Sequence, residues 1–478
     1  MPPTRRKQVH LAAQLPGIHN VTVWSDPRSG SQIALDSFVR LARTVERGKF
    51  DFFFLAEGLR LREHKGKVYD LDIAGRPENL TVLGALAAVT THLGLAATAN
   101  TTFNEPYEVA RRLATLDRLS GGRAAWNVVT SYDAFTGENF RRGGFLAEAD
   151  RYTRAAEFLT VARTLWDSWA DGDLRADPAT GEYARAEAGR FAHRGRHFDI
   201  SGRFSTPPGP QGHPVVIQAG ESDAGREFAA SDAEMIFSKH NRLDVARAFY
   251  RDVKRRLPRY GRRPEDLLIL PTANVVVADT DAEAAVLADE ISRELVSPQT
   301  AIAHLEAVWG RDLSGYDPDG PLPDIEPEDD AHCLKGHSVF RKDRAATARA
   351  WRELARERGL SIRELVVEFG GRPTFVGSPR TVADAVDHFV QTDGADGFVL
   401  VPHLTPAELA DLLLDWRAAG LDGFRLRPAA LPHDLTAITR GLVPELQRRG
   451  VFRTAYDSTT LRGHLGLPRP VSRYATAG

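Results

Sequence analysis

Cysteine is nearly missing from this chain of 478 residues: Cys333 is the only one. A disulfide framework and a thiolate metal site are therefore excluded together. Long apolar runs are missing as well. None approaches the roughly 18 residues that a membrane span needs. The first residues, MPPTRRKQVHLAAQLPG, hold an apolar patch too short for the core of a secretion signal. Net charge is only −2, and no basic run carries interleaved aromatics, so nothing argues for a nucleic-acid partner. These absences lead us to expect a soluble, cytoplasmic protein with neither membrane nor nucleic-acid partners. The sequence also lacks a zinc-type histidine cluster, a GKS phosphate loop and a G-x-S-x-G nucleophile elbow.

What is present is ordinary globular material, 42% hydrophobic and 26% charged, enough to bury a large core. The stretch 93–131 organises it. Residues 93–99 form a short apolar run with little alternation, as in a parallel strand buried on both faces. The run ends in the polar turn Asn100, Thr101, Thr102. A helical pattern starts after Glu105, with Pro106 in its first turn and Val109, Leu113, Leu116 and Leu119 at helical spacing. Ser120-Gly121-Gly122 stops it, and residues 123–129 give a second apolar run that ends at Thr130 and Ser131. This is a β-α-β unit, and function in such units collects at the carboxyl ends of the strands.

Further strands are expected at 9–15, 50–56, 215–219, 235–238, 267–278 and 397–401, with helical patterns between them. Strands and helices alternate about eight times, which predicts an α/β fold, a (β/α)8 TIM barrel forming one domain over 1–478. Insertions are expected at about 58–79, 171–214 and 297–338. The last has an acidic, proline-rich centre that reads as a solvated loop or a cover. The tail, about 442–478, reads as an arm lying on the barrel or on a partner subunit. A DGF motif occurs twice, in GADGFVLVPH at 394–403 and GLDGFRLRPA at 420–429, and the sequence leaves open which copy closes the barrel. The polar groups at strand ends suit an enzyme whose cofactor reacts while the protein binds, orients and shields.

Four segments carry a resemblance: EPYEVARRLATLDRLSGGRAAWNVVTS at 105–131, LWDSW at 165–169, VVIQAGESDAGREFAA at 215–230 and LVPELQRRGVFRTAYDSTTLRGHLGL at 442–467. Together they resemble the bacterial-luciferase-like FMN-dependent monooxygenases, in the branch of the nitrilotriacetate, dibenzothiophene-sulfone and pristinamycin enzymes. The resemblance implies a TIM barrel and a two-component monooxygenase. Reduced FMN would come from a separate NAD(P)H:flavin reductase, O2 would be the oxidant, and the assembly would be a homodimer or homotetramer. The alternatives are a deazaflavin-dependent oxidoreductase on the same barrel and a flavin-binding protein without catalysis. The insertions at 58–79 and 297–338 would keep water from the flavin.

The resemblance also marks positions. Glu57 stands where the family commonly has Asp, near the flavin ring. Thr101 or Thr102 matches a hydroxyl facing the flavin, and Asn127 and Ser131 match flavin-contacting positions. Arg151 and Tyr152 match an RY pair, although the histidine usual upstream is replaced by the EAD of 148–150. Gly220, Glu221 and Ser222 precede a helix whose first amides suit a phosphate, Ser222 more than Glu221. Arg226 lies one turn further on. His19, in the first loop, matches a histidine beside the substrate cavity, and His240, after 235–238, is a second catalytic candidate. No metal is expected.

Overall fold

Parallel strands covered by helices on the outside and packed on the inside need apolar residues on both faces, and seven of the chain's short apolar runs meet that need. With His10–Gln14 they form eight strands: β1 (His10–Gln14), β2 (Phe52–Leu55), β3 (Gly94–Asn100), β4 (Ala124–Val129), β5 (Val215–Gln218), β6 (Met235–Ser238), β7 (Leu268–Ala273) and β8 (Gly397–Leu400). In this computed structural model they close into a parallel barrel in chain order. The structure describes residues 7–14, 31, 33–61, 63–68, 77–131, 134–140, 150–328, 334–335, 344–371, 373–400 and 438–472. The fold is the TIM barrel expected. The first DGF copy supplies β8, with Gly397 opposite His10 and Val399 opposite Thr272. The second copy lies outside the described residues.

Helices lie outside the strands: α1 (Leu35–Arg47), α2 (Asn79–Ala87), α3 (Pro106–Leu119), α4 (Asp150–Asp167), α5 (Asp223–Asp232) and α6 (Leu243–Arg256). After β7 come α7 (Asp281–Leu295), α8 (Pro298–Trp309), α9 (Arg344–Arg358), α10 (Ile362–Val366) and α11 (Pro379–Gln391). Among the described residues no helix is long and apolar enough to cross a membrane.

The barrel interior is stratified. Ala12, Phe52, Phe54, Ala96, Ala125, Ile217, Met235, Phe237, Leu270 and Val399 form one buried cluster. Phe54 meets Phe237 edge-on at 4.9 Å between ring centres, while alanines on β1, β3 and β4 make room for the rings. Side chains alternate along a strand, so Thr98 and Asn100 share the face of Ala96, and Asn127 shares that of Ala125. A polar layer therefore stands above the apolar plug at the carboxyl ends of the strands. The tail shuts the opposite end, where Leu461, Leu465 and Leu467 join the same buried cluster. Arg462 reaches Glu234 at 3.0 Å and Arg453 reaches Asp51 at 2.6 Å. The arm thus lies on its own barrel.

Three departures from the expected elements have local causes. The run 267–278 is two strands, because the Asn274 carbonyl accepts from the amides of Thr374 and Phe375 (2.7 and 3.1 Å). Val275–Val277 consequently leaves the barrel to pair with Phe375–Gly377. Residues 171–214 contain two antiparallel hairpins, Leu174–Asp177 with Glu182–Ala184 and Arg190–Arg194 with Asp199–Arg203. Glu157 on α4 fastens the second by accepting from the amides of His197 and Phe198. The stretch from 297 is no plain loop, since α8 packs with α9 and α10 around buried Trp309. Even its acidic centre is anchored, for the Trp309 indole donates to the Ile325 carbonyl at 2.9 Å.

The insertions after β2 and β7 also meet. Glu63–His64, Lys67–Val68 and Leu334–Lys335 form one three-stranded antiparallel sheet. Lys65, at the turn of that hairpin, lies 2.8 Å from Glu306 on α8 and 2.5 Å from Asp312.

Candidate functional site

Two hydrogen-bonded groups occupy the carboxyl-terminal face. The first is built on β3. Thr98 Oγ1 donates to the Leu55 carbonyl at 2.9 Å and accepts from Asn127 Nδ2 at 3.2 Å. Two residues on, fully buried Asn100 donates from Nδ2 to Glu57 Oε2 at 3.0 Å. Its Oδ1 accepts from the Phe103 amide at 2.7 Å, which fixes the orientation of the Asn100 side chain. Burial pushes the Glu57 carboxyl up to about 7 against the opposing hydrogen bond from Asn100, and Glu78 raises it further. Asn127 is only 3% exposed, yet its Oδ1 has no hydrogen-bond partner among the described residues. A buried acceptor left open costs free energy until an N–H or O–H meets it.

The second group stands where β5 runs into α5. Ser222 caps α5, its Oγ accepting from the Gly225 amide at 3.1 Å. Tyr152, in the first turn of α4, brings its hydroxyl to 3.3 Å from Ser222 Oγ, and Arg151 lies over the Tyr152 ring at 5.0 Å. Gly220 keeps this corner open: a Cβ there would fall 2.6 Å from the Tyr152 hydroxyl and 2.5 Å from Gln218 Nε2. The first turn of a helix presents amides without intrahelical partners, and its dipole favours an anion.

The remaining marked residues take other places. Glu221 turns to the end of β6, where its Oε1 accepts from the Lys239 amide at 2.5 Å and lies 3.9 Å from His240 Nε2. An acid beside the α5 start is thereby engaged elsewhere. Arg226 pairs with Asp252 on α6 at 3.0 Å while its Nε donates to the Glu221 carbonyl at 2.9 Å, so the guanidinium braces the turn before α5. The Thr101 and Thr102 hydroxyls donate to the carbonyls of Val129 (3.3 Å) and Ser131 (2.8 Å), tying the loops after β3 and β4 together. His19 lies outside the described residues. Thr98 and Asn100 join the site as well, both turned inward by strand alternation counted from Ala96.

A model of the family described as luciferase-like monooxygenase matches residues 19–397. The chain belongs to the luciferase-like monooxygenase family. It is 38% identical to nitrilotriacetate monooxygenase component A of Aminobacter aminovorans, over 98% of each chain. It is 37% identical to the N-acetyl-S-(2-succino)cysteine monooxygenase of Bacillus subtilis (strain 168), over 99% of each. Among solved structures, a riboflavin lyase holding modified FMN and its substrate riboflavin is 28% identical, with a TM-score of 0.75, covering 98% of both chains. This monooxygenase is thus a two-component, flavin-dependent enzyme that uses reduced FMN and O2 to oxygenate a small organic substrate. The residues present fit FMN. One group offers an open, buried acceptor beside a carboxyl, and the other is a glycine-lined helix start with two hydroxyls.

Proposed function

We propose that FMN lies between these two groups. Asn127, Glu57 and Asn100 would face the ring system, and Ser222, Tyr152 and the first amides of α5 would receive the phosphate. The observation that carries this reading is the open Oδ1 of buried Asn127, which a flavin N–H would satisfy. Bound reduced FMN supplies two electrons to O2, one oxygen atom entering the substrate and the other leaving as water. The protein's task is to bind, orient and keep water out. The sheet shared by the insertions after β2 and β7, with Lys65 joined to Glu306, supports a cover over the pocket. Arg151, Ser131, Thr101 and Thr102 belong to the rim of the site in this reading, and Gly220 to the phosphate corner. His240, held near Glu221, and His19 are the proposed proton-carrying groups on the substrate side.

Both named relatives act on carboxylate-bearing compounds with a nitrogen or sulfur atom, and we propose a substrate of that class, oxygenated beside the heteroatom. Reduced FMN would be delivered by a separate NAD(P)H:flavin reductase, a reading that the "component A" of the nitrilotriacetate enzyme's name supports. A cytoplasmic location and a homodimer or homotetramer are proposed on the family resemblance. The test of the site is FMN titration of Asn127→Ala. Affinity several-fold below wild type, with the melting temperature held, supports the placement, and an unchanged dissociation constant removes Asn127 from it.

A further inference from the structure

Glu57 is the titratable side chain of the polar layer, and the mechanism above leaves its proton unused. Its Oε2 is held by Asn100, whose own position is fixed by the Phe103 amide, so Glu57 cannot turn away without breaking that pair. Among the described residues no cation pairs with it. Asn100 from β3 faces it as a neutral donor, and the negative charge of Glu78, whose carboxylate caps α2 by accepting from the Leu80 and Thr81 amides, adds a smaller repulsion. Arg60, three residues on, is committed to Glu63 (3.3 Å) and Glu138 (2.8 Å). A half-buried carboxyl without a counter-ion is costly to keep ionised, and the more distant negative charge of Glu78 adds to the cost. A flavin phosphate and an electron-rich ring arriving nearby increase that cost, since they add negative charge and remove water.

We propose that Glu57 is the proton-exchanging group of the cofactor pocket, taking one proton from solvent as FMN binds and returning it when FMN leaves. The inference rests on the proposed placement of FMN between the two hydrogen-bonded groups. Burial already holds the free carboxyl at about 7, so the unloaded protein is mixed at neutral pH and mostly ionised at pH 8. Binding that favours the protonated form is at full strength below that value. It weakens as pH rises through it, by up to about tenfold per pH unit. Glu57 then contacts the cofactor directly and couples its affinity to pH, with the neutral acid free to donate its O–H to the bound ring.

The experiment is calorimetric titration of the full-length protein with oxidised FMN between pH 6.5 and 8.5, in two buffers of different ionisation enthalpy. Wild type and Glu57→Gln are compared, because the amide retains an acceptor for Asn100 and any titration of FMN itself is common to both. The expected result is uptake of close to one proton by wild type at pH 8, absent in Glu57→Gln, whose affinity stays flat. Equal proton uptake in the two proteins overturns the proposal while leaving the FMN placement intact. If neither Glu57→Gln nor Asn127→Ala alters FMN affinity at any pH, the placement and the proposal fall together. A second reading needs no variant. Infrared difference spectra of wild type at pH 8 should lose a carboxylate band and gain a carboxylic-acid band on adding FMN, and no such exchange contradicts the proposal.

Discussion

Lys65 Nζ stands 2.8 Å from Oε1 of Glu306, a carboxylate with no solvent exposure, and so joins the hairpin after β2 to the helical insertion after β7. The same oxygen accepts from the Leu313 amide at 2.7 Å, and Lys65 also reaches Asp312. Two segments more than two hundred residues apart thus share one anchored contact.

Replacing Lys65 by Met removes one ammonium from the buried Glu306 carboxylate. We expect a loss of about 1–2 kcal/mol, moderated because Lys65 is one-third exposed. The larger effect is on coupling: hydrogen peroxide released per NAD(P)H consumed should rise several-fold while the FMN dissociation constant stays put. Peroxide measured in the reductase-coupled reaction checks this, and unaltered coupling would detach the contact from water exclusion.

Ser222 both caps α5 and faces Tyr152, and two substitutions separate the roles. Ser222→Ala should lose about 1 kcal/mol of stability with the cap, and about 1 kcal/mol or more of FMN affinity. Ser222→Asp restores the cap, because aspartate serves as well there, but sets a negative charge against the phosphate. Its melting temperature should match wild type while its FMN affinity falls below that of the alanine variant. Equal FMN binding by all three proteins would move the phosphate elsewhere.

Acid stability reports on the tail. Burial pushes the Asp51 carboxyl up, but Arg453, His10 and the Leu11 amide outweigh it and hold the group at about 2, against an ordinary 3.8. A carboxyl depressed in the folded state stabilises fully above its unfolded value, and the gain is lost as pH falls from about 4 to about 2. The contribution at neutral pH is about 2 kcal/mol. Asp51→Asn should lower neutral-pH stability by about that amount and flatten the profile in that acid window. Chemical denaturation at a series of pH values gives the answer, and an unchanged slope would deny Asp51 this role.

Much of the barrel was legible because buried parallel strands write themselves as apolar runs. Residues 235–238 and 397–401 were found within a residue of their ends, and helix α3 was announced by Pro106 and its apolar spacing. The same spacing misled at Leu119, which ends the helix 67% exposed. Residues 267–278 read as one strand because the apolar pattern crosses Asn274 without a turn signal. What bends the chain there is a backbone bond to residues a hundred positions later. The hairpins in 171–214 were invisible for the opposite reason. Their strands are mostly exposed and carry no apolar alternation. At the site, Asn127, Tyr152 and Ser222 were marked by family resemblance, and the structure brings Tyr152 and Ser222 together. Thr98 and Asn100 carry no such signal, because a polar residue at a strand end is commonplace. The barrel register sets Thr98 opposite Asn127, and the Asn100–Glu57 hydrogen bond brings Glu57 to the same layer.

Whether this protein controls the reaction of reduced FMN with oxygen is decided by rapid mixing of the two, held without oxygen, against oxygenated buffer. We predict that flavin absorbance returns more slowly than for free reduced FMN, in more than one phase. A nitrogen- or sulfur-containing polycarboxylate should accelerate the last phase, and one labelled oxygen atom from 18O2 should enter the product. Reoxidation at the free-flavin rate in a single phase, indifferent to protein and to added substrate, would show that the protein does not act as an FMN-dependent monooxygenase.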